Sequence, residues 1–264
     1  MLKYILSGFL IYTLVGLGLF VFQRKFTYNR SGKPYKPSEY GLFNVSEQYI
    51  RVSKDLKLLS WYCPPRGNKP IIIYFHGNSF DIGERAYRVK EYVDDGYGIL
   101  LPAYRGFSGN KGTPNETIIY KDSQIMIDWV KKKLSINDER IVLYGESLGT
   151  GVAIHLGQNK KYKSIILEAP FTSIVDIAKK MYPIYPVTYL VLDKFDNLSK
   201  INNNISPILF IHGKKDEIVP FNMGVELYKK TKIKKFNLYI DEAMHNNLYD
   251  YGIAKKIINF IEKI

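Results

Sequence analysis

The stretch Ile141-Val142-Leu143-Tyr144-Gly145-Glu146-Ser147-Leu148-Gly149 carries a compact apolar run into the pattern G-x-S-x-G and out into a second apolar segment, residues 148–156. An apolar run without alternation suits a strand buried on both faces. The apolar segment behind it suits a short helix. A serine at such a strand-to-helix junction sits on a sharp turn with its hydroxyl exposed above the sheet, and the flanking glycines admit the close backbone approach that this turn needs. Ser147 is therefore the candidate nucleophile.

Working outward, further buried strands are expected at Ile71–Phe75 and at residues 98–101, 164–167, 207–211 and 236–240. Two alternating stretches, 49–53 and 56–62, read as a leading hairpin. Helical patterns cover 118–133, 148–156 and 253–261. Strands alternating with helices predict an α/β protein with a mostly parallel central sheet and helices on both faces. The rhythm breaks once, over residues 171–206, where Pro183 and Pro186 stand among Tyr182, Tyr185, Tyr189 and Phe195. This segment is expected to form a helical excursion over the strand ends, a small cap.

A serine hydroxyl needs a base, usually a histidine, which in turn needs an orienting carboxylate. Of four histidines, His155 falls in the helix after Ser147, and His76 and His212 each precede a glycine at a strand end. His245 follows the last strand in a polar loop and is the candidate base. Asp216, just past the strand that ends near Ile211, is the candidate orienter, with Glu168 as its competitor; Asp241 and Glu242 lie too near His245 in sequence. For the developing oxyanion, backbone N–H groups act without reorganisation. Leu148, next to the serine, and Asn78, in the loop His76-Gly77-Asn78-Ser79, are the candidates, with His76 and Ser79 supporting that loop. The histidines lack zinc-ligand spacing, so no metal is expected.

The chain has 264 residues, with 46% hydrophobic and 24% charged, which excludes disordered, collagen-like and coiled-coil classes. The one cysteine, Cys63, lies in Trp61-Tyr62-Cys63-Pro64 and reads as a buried apolar residue. Residues 4–22 carry no charge, long enough to span a bilayer and too long, without small residues at their end, for a cleaved signal. The expected organisation is a membrane anchor with flanks at 1–28, a connector at 29–46 and a catalytic domain at 47–264. Arg24, Lys25, Arg30, Lys33 and Lys36 point to a cytoplasmic C-terminal domain by the positive-inside rule, although short N-terminal tails often stay inside regardless. The formal net charge of +13 is spread over scattered lysines. It suits an anionic lipid surface, and no nucleic-acid motif accompanies it.

Several landmarks occur together: Phe75-His76-Gly77-Asn78, Tyr104-Arg105-Gly106-Phe107-Ser108-Gly109 with Gly112-Thr113-Pro114, the Ser147 motif, Glu168-Ala169-Pro170-Phe171, His212-Gly213-Lys214-Lys215-Asp216, and Met244-His245-Asn246. In these the chain resembles the alpha/beta-hydrolase superfamily over nearly all of 45–264, and within it the single-span serine hydrolases that include protein depalmitoylases. The resemblance implies an alpha/beta-hydrolase fold, with Ser147, Asp216 and His245 as nucleophile, orienter and base, and the amides of Asn78 and Leu148 as oxyanion hole. It departs at Ala103, where relatives often carry Asp. The expected activity is cleavage of a carboxylic ester or thioester through an acyl-enzyme, without a cofactor, on a small-molecule ester, lipid or acylated substrate at a membrane. The alternatives are a serine peptidase and a non-catalytic membrane binding protein that keeps the fold.

Overall fold

The computed structural model describes residues 1–30 and 32–264. Ser31, inside the expected connector, lies outside them. Eight strands form one sheet: β1 (Ser46–Ser53), β2 (Leu56–Cys63), β3 (Ile71–Phe75), β4 (Gly98–Pro102), β5 (Ile141–Glu146), β6 (Ser164–Glu168), β7 (Ile208–Gly213) and β8 (Lys235–Ile240). Their order is β1-β2-β4-β3-β5-β6-β7-β8. The leading hairpin is antiparallel and β2 pairs antiparallel with β4; every later pairing is parallel. The helices are α1 (Leu2–Thr27), α2 (Ala86–Asp94), α3 (Glu116–Leu134), α4 (Leu148–Gly157), α5 (Ile174–Met181), α6 (Val187–Leu190), α7 (Asn197–Lys200), α8 (Phe221–Lys230) and α9 (Ile253–Lys263).

The central strands are apolar throughout because both faces are covered. Ile71, Ile73, Phe75, Leu143, Ile165, Leu167 and Phe210 pack on one side with residues of α3, α4 and α8. Ile72, Tyr74, Val142, Tyr144, Ile166 and Ile211 pack on the other with α2 and α9. Each fully buried aliphatic side chain contributes about 1.5–3 kcal/mol. Helix starts follow local chemistry: Asn115 Oδ1 accepts from Ile118 N (2.9 Å) at the head of α3, and Ser173 Oγ accepts from Asp176 N (3.0 Å) at the head of α5.

Two helices, α2 and α8, are absent from the sequence expectation. Both are short, and α2 carries Arg88 among its buried residues, which blurs its apolar stripe. The residues after α1 do not hang free: Tyr28, Leu42 and Val45 are buried against the domain. α1 itself buries none of its residues and is long and apolar enough to cross a membrane, a length and composition that signal sequences share. Between β6 and β7 the chain makes α5, α6 and α7. At Ala103, Asn110 ties the loop instead, accepting from Leu59 N (2.9 Å) and donating to Ala103 O (3.0 Å).

Candidate active site

The order of the sheet reverses between β3 and β5, and the crevice beyond the carboxyl ends of such strands is where open α/β sheets bind ligands. Phe75 is paired with Gly145, so the loop 76–79 after β3 and the turn after β5 emerge side by side. Ser147 occupies that turn at φ 50° and ψ −114°, a region strained for any residue but glycine. It is pinned there by Ser147 N donating to Glu168 O (2.8 Å), while Thr150 donates to Ser147 O through N (2.9 Å) and Oγ1 (2.6 Å). A Cβ at Gly149 would stand 2.0 Å from Phe75 O, so only glycine lets the head of α4 meet β3.

Asp216 and His245 enter from the neighbouring strands β7 and β8. Asp216 Oδ1 accepts from Ile218 N (2.9 Å) and Val219 N (2.8 Å), and Oδ2 accepts from His245 Nδ1 (2.7 Å). His212 Nε2, which donates to Val219 O (3.0 Å), lies 3.2 Å from the same Oδ2. Burial opposes ionisation of Asp216, but hydrogen bonds from His212 and His245 and the Val219 amide hold its carboxyl well below the usual range. An ionised Asp216 fixes the proton on His245 Nδ1 and leaves Nε2 with its lone pair. The structure thus joins Asp216 and His245. Ser147 Oγ makes no hydrogen bond to a described residue, as is common in unliganded sites.

Among the described residues, nothing accepts from the amides of Asn78 or Leu148, so both remain open donors. The Asn78 loop is held from the far side: Asn78 O accepts from Asn29 N (3.0 Å) and Asn78 Nδ2 donates to Thr27 O (3.3 Å), at the end of α1. His76 Nδ1 donates to Gly77 O (2.7 Å), and Ser79 Oγ to Asn78 Oδ1 (3.2 Å). Burial, helped by Arg85, pushes His76 down to about 3, so it stays neutral.

Glu168 is not available to His245. It is buried, accepts from Arg88 Nη1 (2.9 Å) and from Tyr144 OH (2.5 Å), and belongs to a network that the sequence reading missed. Arg85 forks onto Glu146, the residue before Ser147, through Nε (3.0 Å) and Nη2 (2.8 Å), and Tyr74 OH donates to the same carboxylate (2.9 Å). Arg88 Nη2 also reaches Asn246 O (3.4 Å) beside His245. Burial opposes ionisation of Glu146, yet Arg85 and Arg88 hold it well below the usual range, whereas burial leaves Glu168 raised. Arg85 stands at the head of α2 and Arg88 one turn inside it, and both are buried. Arg88→Met strands Glu168 and should destabilise the protein by about 3–5 kcal/mol, read by thermal unfolding in detergent. Adding Glu168→Gln should restore part of that loss.

A cavity of about 630 Å³ opens on Ser147, Asn78 and Leu148, a volume suited to a small-molecule site. Its remaining walls are residues 217–220, the segment from α5 to α6, and the C-terminal half of α1. No cluster of three or more metal-ligating side chains occurs among the described residues. Cys63 is buried, and burial pushes its thiol up, which suits a packing residue.

A model of the prolyl oligopeptidase family matches residues 88–248. An uncharacterized protein of Mycobacterium tuberculosis is 29% identical over 244 residues, which cover 90% of this chain and 86% of the relative. The human alpha/beta hydrolase domain-containing protein 17B is 29% identical over 208 residues, 76% of this chain and 69% of its own length. Among solved structures, an esterase of Pyrococcus furiosus superposes with a TM-score of 0.71 at 18% identity, over 89% of this chain and 97% of the esterase. The acylaminoacyl peptidase of Pyrococcus horikoshii gives 0.65 at 18% identity, over 83% of this chain but 41% of the peptidase.

Proposed function

This chain belongs to the prolyl oligopeptidase family of alpha/beta hydrolases, and from that premise we propose that it is a membrane-anchored serine hydrolase that cleaves a carboxylic ester or thioester through an acyl-enzyme on Ser147. The observation that carries this reading is the 2.7 Å pairing of His245 Nδ1 with Asp216, on the same sheet edge as a serine held at φ 50° over an apolar cavity. A hydrolase of the esterase or peptidase type is common ground. The long apolar cavity favours an acyl chain over a peptide.

In this mechanism Ser147 Oγ attacks the carbonyl carbon while His245 Nε2 takes its proton. The negative charge that forms on the carbonyl oxygen is met by the amides of Asn78 and Leu148. The imidazolium, stabilised by ionised Asp216, returns the proton to the departing alcohol or thiol. Water then adds to the acyl-enzyme with His245 as base, which releases the acid and restores the serine. Residues 1–28 form the anchor, 29–46 the connector, and 47–264 the catalytic domain with its cap at 171–206.

The test is labelling of detergent-solubilised protein with a fluorophosphonate, followed by tryptic digestion. The adduct is expected on the peptide of residues 141–160, which contains Ser147. Well-folded protein that takes no label, or takes it elsewhere, overturns the proposal. Turnover of p-nitrophenyl esters should exceed that of matched p-nitroanilides; the reverse would favour a peptidase.

A further inference from the structure

One face of α1 belongs to the cavity. Gly16, Leu19, Phe20, Gln23, Phe26 and Thr27 all line it, at the three- and four-residue spacing of a single helical stripe. Thr27 stands beside Asn78, whose amide borders Ser147, and Gly16 stands eleven residues up the helix, about 16 Å away at the α-helical rise. The cavity therefore begins at the reacting serine and ends inside the uncharged run of residues 4–22.

The opposite wall is fastened to α1 by direct contacts. Tyr185 stacks on Tyr12 with ring centroids 4.6 Å apart and donates to Tyr12 O (3.2 Å), while Tyr12 OH donates to Ile184 O (3.0 Å). Gln23 donates to Leu190 O (3.2 Å) and accepts from Leu192 N (2.9 Å), and Arg24 pairs with Asp193 (2.9 Å). A Cβ at Gly16 would lie 2.8 Å from the Tyr185 ring, so the glycine is what lets that ring close the far end. In the same segment Ile184, Tyr189 and Leu192, none of which lines the cavity, are exposed, an apolar and aromatic face of the kind that sits at a membrane interface.

We infer that α1 is a wall of the substrate site as well as an anchor. The cavity takes the long acyl chain of an ester or thioester that resides in the bilayer, and Gly16, Leu19 and Phe20 set the chain length. This rests on the acyl-enzyme reading above. The acyl chain stays at hydrocarbon depth beside α1, while its carbonyl reaches Ser147 at the domain surface. A soluble short-chain ester has no use for the far half of the cavity, whose α1 side is formed by Gly16, Leu19 and Phe20.

The experiment compares wild type, Leu19→Trp and Leu19→Ala in full-length protein on p-nitrophenyl acetate, butyrate, octanoate and palmitate in mixed micelles. Wild type is expected to have its highest kcat/KM on a long-chain ester. Leu19→Trp should lower kcat/KM for palmitate at least tenfold more than for acetate and move the optimum to a shorter chain, while Leu19→Ala should leave long chains favoured. A Leu19→Trp profile that falls uniformly across all four esters, or does not change, overturns the inference; so does a wild type confined to acetate. Fluorophosphonate labelling of each variant separates the cases. Labelled protein with an unaltered chain profile sinks the α1 wall alone, whereas unlabelled wild type sinks the acyl-enzyme reading and the wall with it.

Discussion

Ser147→Gly is expected to lower kcat about 10⁶-fold and, in the same protein, to raise thermal stability. The first effect follows, on the proposed mechanism, from removing the hydroxyl that attacks the carbonyl, which leaves His245 and Asp216 nothing to activate. The second follows from the backbone. At φ 50° and ψ −114° a side chain costs about 1–3 kcal/mol that glycine does not, partly offset by the greater entropy glycine loses on folding, about 0.5–1 kcal/mol. The net gain is about 1 kcal/mol, or about 2–4 °C in Tm for a domain of this size. Ser147→Ala separates the two effects, because it loses the hydroxyl and keeps the strain. It should match Ser147→Gly in kcat and melt below it. Turnover within a hundredfold of wild type in either variant would remove Ser147 from the reaction and place the chemistry on another residue.

Asp216→Asn is expected to lower kcat about 10⁴-fold while leaving the fold intact. The carboxylate accepts on both oxygens, from two backbone amides on Oδ1 and from His245 and His212 on Oδ2. An asparagine keeps one acceptor. With its oxygen on Ile218 N and Val219 N, its NH₂ faces His245 Nδ1, which must then accept, and the ring proton moves to Nε2, where it blocks uptake of the serine proton. Turned the other way, the NH₂ meets two backbone donors, which is worse. The asparagine also lacks the charge that stabilises the imidazolium. Measured kcat against pH for the variant should climb into alkaline solution, where the ring or the serine can lose its proton to solvent; a variant with wild-type kcat near neutrality would mean that Asp216 only builds the loop.

Much of the architecture was legible because its physics is local or repetitive. Strands buried on both faces leave unbroken apolar runs such as Ile71–Phe75, and the loops behind them display His76-Gly77-Asn78, Asp216 and His245 at the one sheet edge that parallel strands share. Two features were not. Arg85 and Arg88 are charged residues in an interior, and only the tertiary pairing with Glu146 and Glu168, some 60 and 80 positions away, makes them intelligible. The α1 wall left no contrast to read. Pocket-facing Leu19 and outward-facing Val21 are both aliphatic, since lipid and an apolar cavity ask for the same side chains.

The contacts from Tyr12, Gln23 and Arg24 to residues 184–193 span three turns of α1, and so bind the helix and the roof of the site into one rigid lever. A transmembrane helix answers a thicker or thinner bilayer by changing its tilt. With α1 as the proposed anchor, a change of tilt would carry the roof with it and widen or narrow the path to Ser147. Hydrophobic mismatch between that proposed anchor and its surroundings is then expected to act on turnover, with no ligand involved.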